Sequence, residues 1–101
     1  MSSIARWSSY EFDVYAPDTA WNSVSGVYIF AGREGSEWIP CYVGQAENLQ
    51  EHLGNHYCWA EACREGATHI HVLMVPETDR REVIEQELCR AYQPRLNVQQ
   101  V

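Results

Sequence analysis

Residues 26–44 read GVYIFAGREGSEWIPCYVG, and the reading of this stretch decides the fold. Two short apolar runs, 27–30 and 39–43, are rich in β-branched and aromatic residues, the composition that suits a pleated, half-buried surface. Between them lies the polar cluster Gly32-Arg33-Glu34-Gly35-Ser36, which reads as a turn. Two antiparallel strands, about 26–31 and 39–44, therefore form a hairpin. That hairpin brings two phenols, Tyr28 of Gly26-Val27-Tyr28 and Tyr42 of Tyr42-Val43-Gly44, close together on neighbouring strands.

Working outward, Leu49 and Leu53 at i,i+4 predict a short helix over 48–53 that Gly54-Asn55 ends. A second helical stretch, 57–65, stops at Gly66 with Arg64 in its last turn. Residues 68–75 alternate between Gly66 and Pro76 and read as a strand, with His69 and His71 on a half-exposed face opposite Ile70 and Val72. The last helix opens at Thr78, a candidate N-cap with Glu82 nearby, and carries the stripe Ile84, Leu88, Ala91 until Pro94 stops it near Tyr92. Upstream, residues 10–15 alternate as an edge strand before Pro17-Asp18 turns the chain. The expected class is α+β: a small antiparallel sheet of three central strands flanked by helices. The expected organisation is one domain, 1–101, with a core over 24–98 behind an entry segment 1–23.

A hydrophobic fraction of 46% supplies a modest single core, and no low-complexity tract argues for disorder. No apolar run is long enough for a membrane span, and Met1–Arg6 lacks the apolar segment of a signal peptide, so an intracellular, cytoplasmic chain is expected. Reduced thiols follow for Cys41, Cys58, Cys63 and Cys89, with Cys41 and Cys89 as small buried hydrophobes. His52, His56, Cys58 and Cys63 are close in sequence but match no zinc-binding spacing. Seven Lys+Arg against fourteen Asp+Glu give a net charge of −7, with no lysine. Proteins that grip phosphate backbones gain affinity by neutralising phosphates, so this balance predicts weak intrinsic affinity for bulk DNA. Five of the seven arginines, Arg64, Arg80, Arg81, Arg90 and Arg95, lie in the second half of the chain and could share a basic face.

The paired tyrosine tripeptides, Ala46-Glu47-Asn48-Leu49 on the first helix, Glu85 on the late helix and the ending Tyr92-Gln93-Pro94-Arg95-Leu96-Asn97 together resemble the GIY-YIG nuclease family over about residues 24–98. The resemblance implies a metal-dependent endonuclease that hydrolyses DNA phosphodiesters. It implies that Tyr28 or Tyr42 activates the attacking water and that Glu85 is the single protein ligand of Mg2+ (or Mn2+). It also implies a site asparagine at Asn97. A hard oxygen ligand suits Mg2+, which keeps most of its waters. Glu87, on the other flank of the apolar stripe, is the neighbour most easily confused with Glu85.

One position departs from the pattern. The family's catalytic arginine falls at His52, and Gln45 stands where some relatives carry a lysine. Arginine is always charged and offers a planar fork of donors, whereas histidine is mostly neutral at pH 7 and offers one donor, or two when protonated. His56 keeps a second polar ring near the site as a proton carrier or a helix-end residue. His52 fits decay into an inert module, a variant compensated by another arginine, or an engineered change. Two functions are thus carried forward: a metal-dependent endonuclease weakened at position 52, and a catalytically inert nucleic-acid or protein binding module on the same scaffold. A third, an inhibitor or decoy using the acidic surface, has less behind it. With no appended DNA-reading domain expected, specificity calls for a homodimer or a partner protein.

Overall fold

The computed structural model describes residues 3–54 and 58–99. In chain order they form strands β1 (Ser3–Trp7), β2 (Tyr10–Tyr15), β3 (Gly26–Glu34) and β4 (Glu37–Ala46), then helices α1 (Leu49–Leu53) and α2 (Trp59–Arg64). Strand β5 (Ala67–Met74) follows, and helices α3 (Thr78–Tyr92) and α4 (Arg95–Gln99) close the order. The expected hairpin is β3–β4. Its two-residue turn, Gly35-Ser36, requires Gly35 at φ 63, a conformation open to glycine at little cost.

The sheet has five strands in the order β1-β2-β5-β3-β4, every neighbouring pair antiparallel, rather than the three expected. The difference lies at the N-terminus. Residues read as an entry segment make the hairpin β1–β2, and β2 is not an edge: it pairs with β1 on one side and β5 on the other. Ala5, Trp7 and Phe12 are buried, so this hairpin contributes apolar surface to the core. Five residues of β1 carry too short an alternation to stand out in sequence; pairing with β2 makes them a strand.

Helices cover both faces of the sheet. On one face Tyr28, Phe30, Tyr42, Ile70 and Val72 pack with Leu49 of α1, Ala62 of α2 and Leu96 of α4. On the other, Val27, Ile29, Val43, Trp7 and Phe12 pack with Ile84 and Leu88 of α3. A bulge after Phe30 in the β3–β4 pairing puts Cys41 and Tyr42 into the same cluster. Burial of Leu49, Ile70, Val72, Ile84 and Leu88 agrees with the sequence pattern, whereas Leu53, at the last turn of a five-residue helix, is only partly buried.

Two further expectations are corrected. His71 does not sit on a half-exposed face but is fully buried, because Trp7 of the β1–β2 hairpin and Trp38 of β4 lie against it. Thr78 does not cap α3; Glu77 occupies the cap position without a side-chain bond, and the Thr78 hydroxyl accepts from Arg81 instead. Among the described residues no helix is long and apolar enough to cross a membrane.

Candidate active site

Tyr28, Tyr42 and His52 come together on the sheet face covered by α1. Tyr28 and Tyr42 share that face two residues apart in register on paired strands, since Tyr28 opposes Gly44 and Phe30 opposes Tyr42. The two phenol rings lie 6.3 Å apart between centroids. Gly44 explains the closeness of Tyr28 to the β4 backbone. A Cβ there would come within 2.5 Å of the Tyr28 Cζ, so any side chain at 44 displaces the ring.

Helix α1 begins immediately after β4 because the Asn48 side chain accepts from the Glu51 backbone N–H at 3.2 Å, ending the strand and nucleating a turn. The Leu49 N–H also reaches the Val24 carbonyl at 2.8 Å, tying the helix to the chain entering β3. The His52 ring then lies 5.6 Å from that of Tyr28, tilted by 50°. Tyr28 is almost wholly enclosed, Tyr42 retains a sliver of exposure and His52 is exposed, so the trio runs from the core to the surface. A groove of about 490 Å3 opens beside it, lined by Gln45, Ala46, Glu47, Asn48, Glu51 and His52.

Glu85 comes from a different layer. It stands on α3, next to the inward Ile84, and is partly buried. Burial, and secondarily the negative charge of Glu82, push its carboxyl above the usual carboxylate range. Glu87 differs: it is exposed and its carboxylate accepts from the Tyr10 hydroxyl at 2.9 Å. Among the described residues no cluster of three or more histidine, cysteine or acidic side chains forms a metal cage. A partly desolvated carboxylate is a hard oxygen ligand of the kind that suits a cation keeping most of its waters.

Asn97 occupies the free edge of β4. Its Nδ2 donates to the Val43 carbonyl and its Oδ1 accepts from the Val43 N–H, both at 2.8 Å. The amide therefore fixes the residue between Tyr42 and Gly44. His56 lies outside the described residues.

The arginines do not form one basic face. Arg95 pairs with Glu65 at 3.3 Å, and Arg81, at 1% exposure, is turned into the protein. Arg81 donates to Gln45 Oε1, to the Val75 and Pro76 carbonyls and to Thr78 Oγ1. In the sequence Arg81 stands among the five arginines of a possible basic face and, with Arg95, as a candidate for the cation missing at His52. Its place three residues before Ile84 and seven before Leu88, on the apolar stripe of α3, was the signal that it points inward.

No family model and no curated protein matches the chain. Among solved structures it is similar to the GIY-YIG N-terminal endonuclease domain of UvrC from Thermotoga maritima bound to its catalytic magnesium. The identity is 24% and the TM-score 0.59, over 73% of this chain and 83% of that one. Two point mutants of that domain bound to the divalent cation align at TM-scores of 0.58 and 0.60, each at 24% identity and covering 82% of that domain. The chain thus has a GIY-YIG nuclease-like fold.

Proposed function

We propose that this protein is a divalent-metal-dependent endonuclease that hydrolyses DNA phosphodiesters, slowed by the histidine at position 52. The observation that carries the reading is the convergence of Tyr28, Tyr42 and His52 on one sheet face beside an open groove. The cation-bound endonuclease domains of the same fold support it.

Hydrolysis requires a bond from a water oxygen to phosphorus, cleavage of a P–O ester bond, and acceptance of the water's proton. In this reading Tyr42 or Tyr28 accepts that proton, and the β3–β4 pairing holds the two phenols side by side. Glu85 would hold Mg2+ or Mn2+, and the bound ion would supply shielding of the developing phosphate charge and a lowered pKa for water. Asn97 keeps the Tyr42–Gly44 backbone in place, and His56 supplies a further polar ring. His52 offers the phosphate one donor where a guanidinium offers a charged fork.

A second reading, an inert binding module, is favoured by that same His52 and by the net charge of −7. Plasmid nicking with Mg2+ or Mn2+ separates the two. His52→Arg should nick at least ~10²-fold faster than the parent, mainly through kcat, because the matched charge is fullest in the transition state. Glu85→Gln in that background should abolish nicking while retaining the fold. Inertness of His52→Arg with metal bound would establish the binding module. A parent already fast at about pH 8 would show that another group supplies the cation.

A further inference from the structure

Arg81 has the largest of the fully buried side chains, and its charge is permanent, since a guanidinium does not deprotonate in a protein. Burial of a charge is costly unless it is paired or fully hydrogen-bonded. Among the described residues no carboxylate forms an ion pair with it. Its recorded partners are four neutral oxygens: Gln45 Oε1 at 2.9 Å, the Pro76 carbonyl at 2.9 Å, the Val75 carbonyl at 3.0 Å and Thr78 Oγ1 at 3.2 Å. Three of these belong to the β5–α3 connection and the first turn of α3. The fourth is a side chain on β4, directly after Tyr42-Val43-Gly44, and it alone also lines the groove beside His52.

The Arg81 contact fixes how that side chain faces. A guanidinium has only donors, so the Gln45 carboxamide must turn its oxygen toward Arg81 and its NH2 away. Polarisation by the buried cation makes those N–H groups better donors to an anion. The groove otherwise carries Glu47 and Glu51, both exposed and both unfavourable to a phosphate. A positive centre behind Gln45 offsets them without placing a charge in the groove.

We infer that Gln45 is a substrate-binding residue whose amide N–H groups contact a non-bridging phosphate oxygen of the nucleic acid, and that Arg81 is its positioning residue. The inference rests on the nuclease reading for its substrate, and its test reads binding separately from cleavage. Arg81 does not touch the phosphate. It holds the amide in one orientation and contributes the field of its charge.

The test uses the full chain, a fluorescein-labelled DNA duplex read by anisotropy at low salt, and thermal melting. Gln45→Glu pairs a carboxylate with Arg81, so the melting temperature should hold or rise. The same change replaces the donors facing the groove with acceptors, so DNA affinity should fall at least about tenfold. Gln45→Lys, which restores a donor, should recover affinity. Arg81→Lys keeps the charge but loses the fork; at retained folding it should raise KM for nicking in the His52→Arg background more than it lowers kcat. If Gln45→Glu folds normally and binds the duplex as well as the parent, the inference is overturned and the Arg81–Gln45 contact is scaffold alone. A parent that does not bind the duplex also overturns it. Binding that depends on Gln45 with no nicking by His52→Arg would uphold the contact while removing the nuclease reading.

Discussion

His71 shows what one buried side chain does to the response of the protein to pH. Its Nδ1 accepts from the Trp7 indole N–H at 2.9 Å, so a neutral ring carries its proton on Nε2, which is enclosed and has no hydrogen-bond partner among the described residues. The Trp38 ring stands at 90° to it, 4.5 Å between centroids. Burial first, then the positive charges of His69 and Arg33, lower its pKa to about 4. The unfolded chain, with an ordinary histidine pKa near 6.5, therefore binds more protons than the folded one in the window between those values. Stability from this residue is complete above the unfolded value and is lost as pH falls through the window, by roughly 3 kcal/mol in all. Urea unfolding at about pH 7 and about pH 5 should show the loss, and His71→Phe should flatten that slope. An equal slope in the variant would place the acid sensitivity elsewhere.

At the scale of elements, the candidate site depends on β4 holding its place as an edge strand. One side of β4 pairs with β3; on the other, Asn97 of α4 closes both hydrogen bonds of Val43. Leu96, the neighbouring residue, is buried in the cluster that contains Tyr28 and Tyr42, so α4 is seated by packing as well as by the amide. Asn97→Ala leaves two partly buried backbone groups to water or to nothing, at a cost of about 1–3 kcal/mol. If the clamp positions Tyr42, nicking in the His52→Arg background should fall by more than this loss of stability explains at a temperature where the variant is fully folded. Asn97→Asp, which keeps the acceptor but not the donor, should be intermediate. Activity unchanged in a folded Asn97→Ala would reduce the residue to a stability role.

The whole molecule is acidic, and its arginines are largely occupied or dispersed. Arg6 pairs with Glu11 at 2.8 Å, Arg95 with Glu65, Arg33 stacks 4.4 Å over the Trp38 ring, and Arg81 is buried. Arg64, Arg80 and Arg90 remain exposed. Since each neutralised phosphate contributes about 0.9 to the slope of log affinity against log salt, DNA binding should show a shallow slope, no steeper than about −3. Anisotropy titrations over a range of salt measure it. A much steeper slope would mean that a second copy or another protein contributes the cations.

Local sequence patterns were enough for the α+β class, for the β3–β4 hairpin that brings Tyr28 and Tyr42 onto neighbouring strands, and for the positions of α3 and its apolar stripe, whereas the bulge after Phe30 that turns both phenols to one face was not among them. Each of these rests on local information: alternation with period two, helical spacing of Ile84 and Leu88, turn glycine and terminal proline. Tertiary structure decided the rest. Strand β1 exists because β2 pairs with it, and β2 is internal because β5 takes its other edge. His71 is buried because Trp7 and Trp38, from strands distant in sequence, lie against it, although period-two alternation alone looks the same for a solvated face and a covered one. Asn97 fastens to Val43 and Arg81 to Gln45 across separations of 54 and 36 residues, which no local pattern records. Local periodicity says which residues share a face; only the packed chain says what lies against that face.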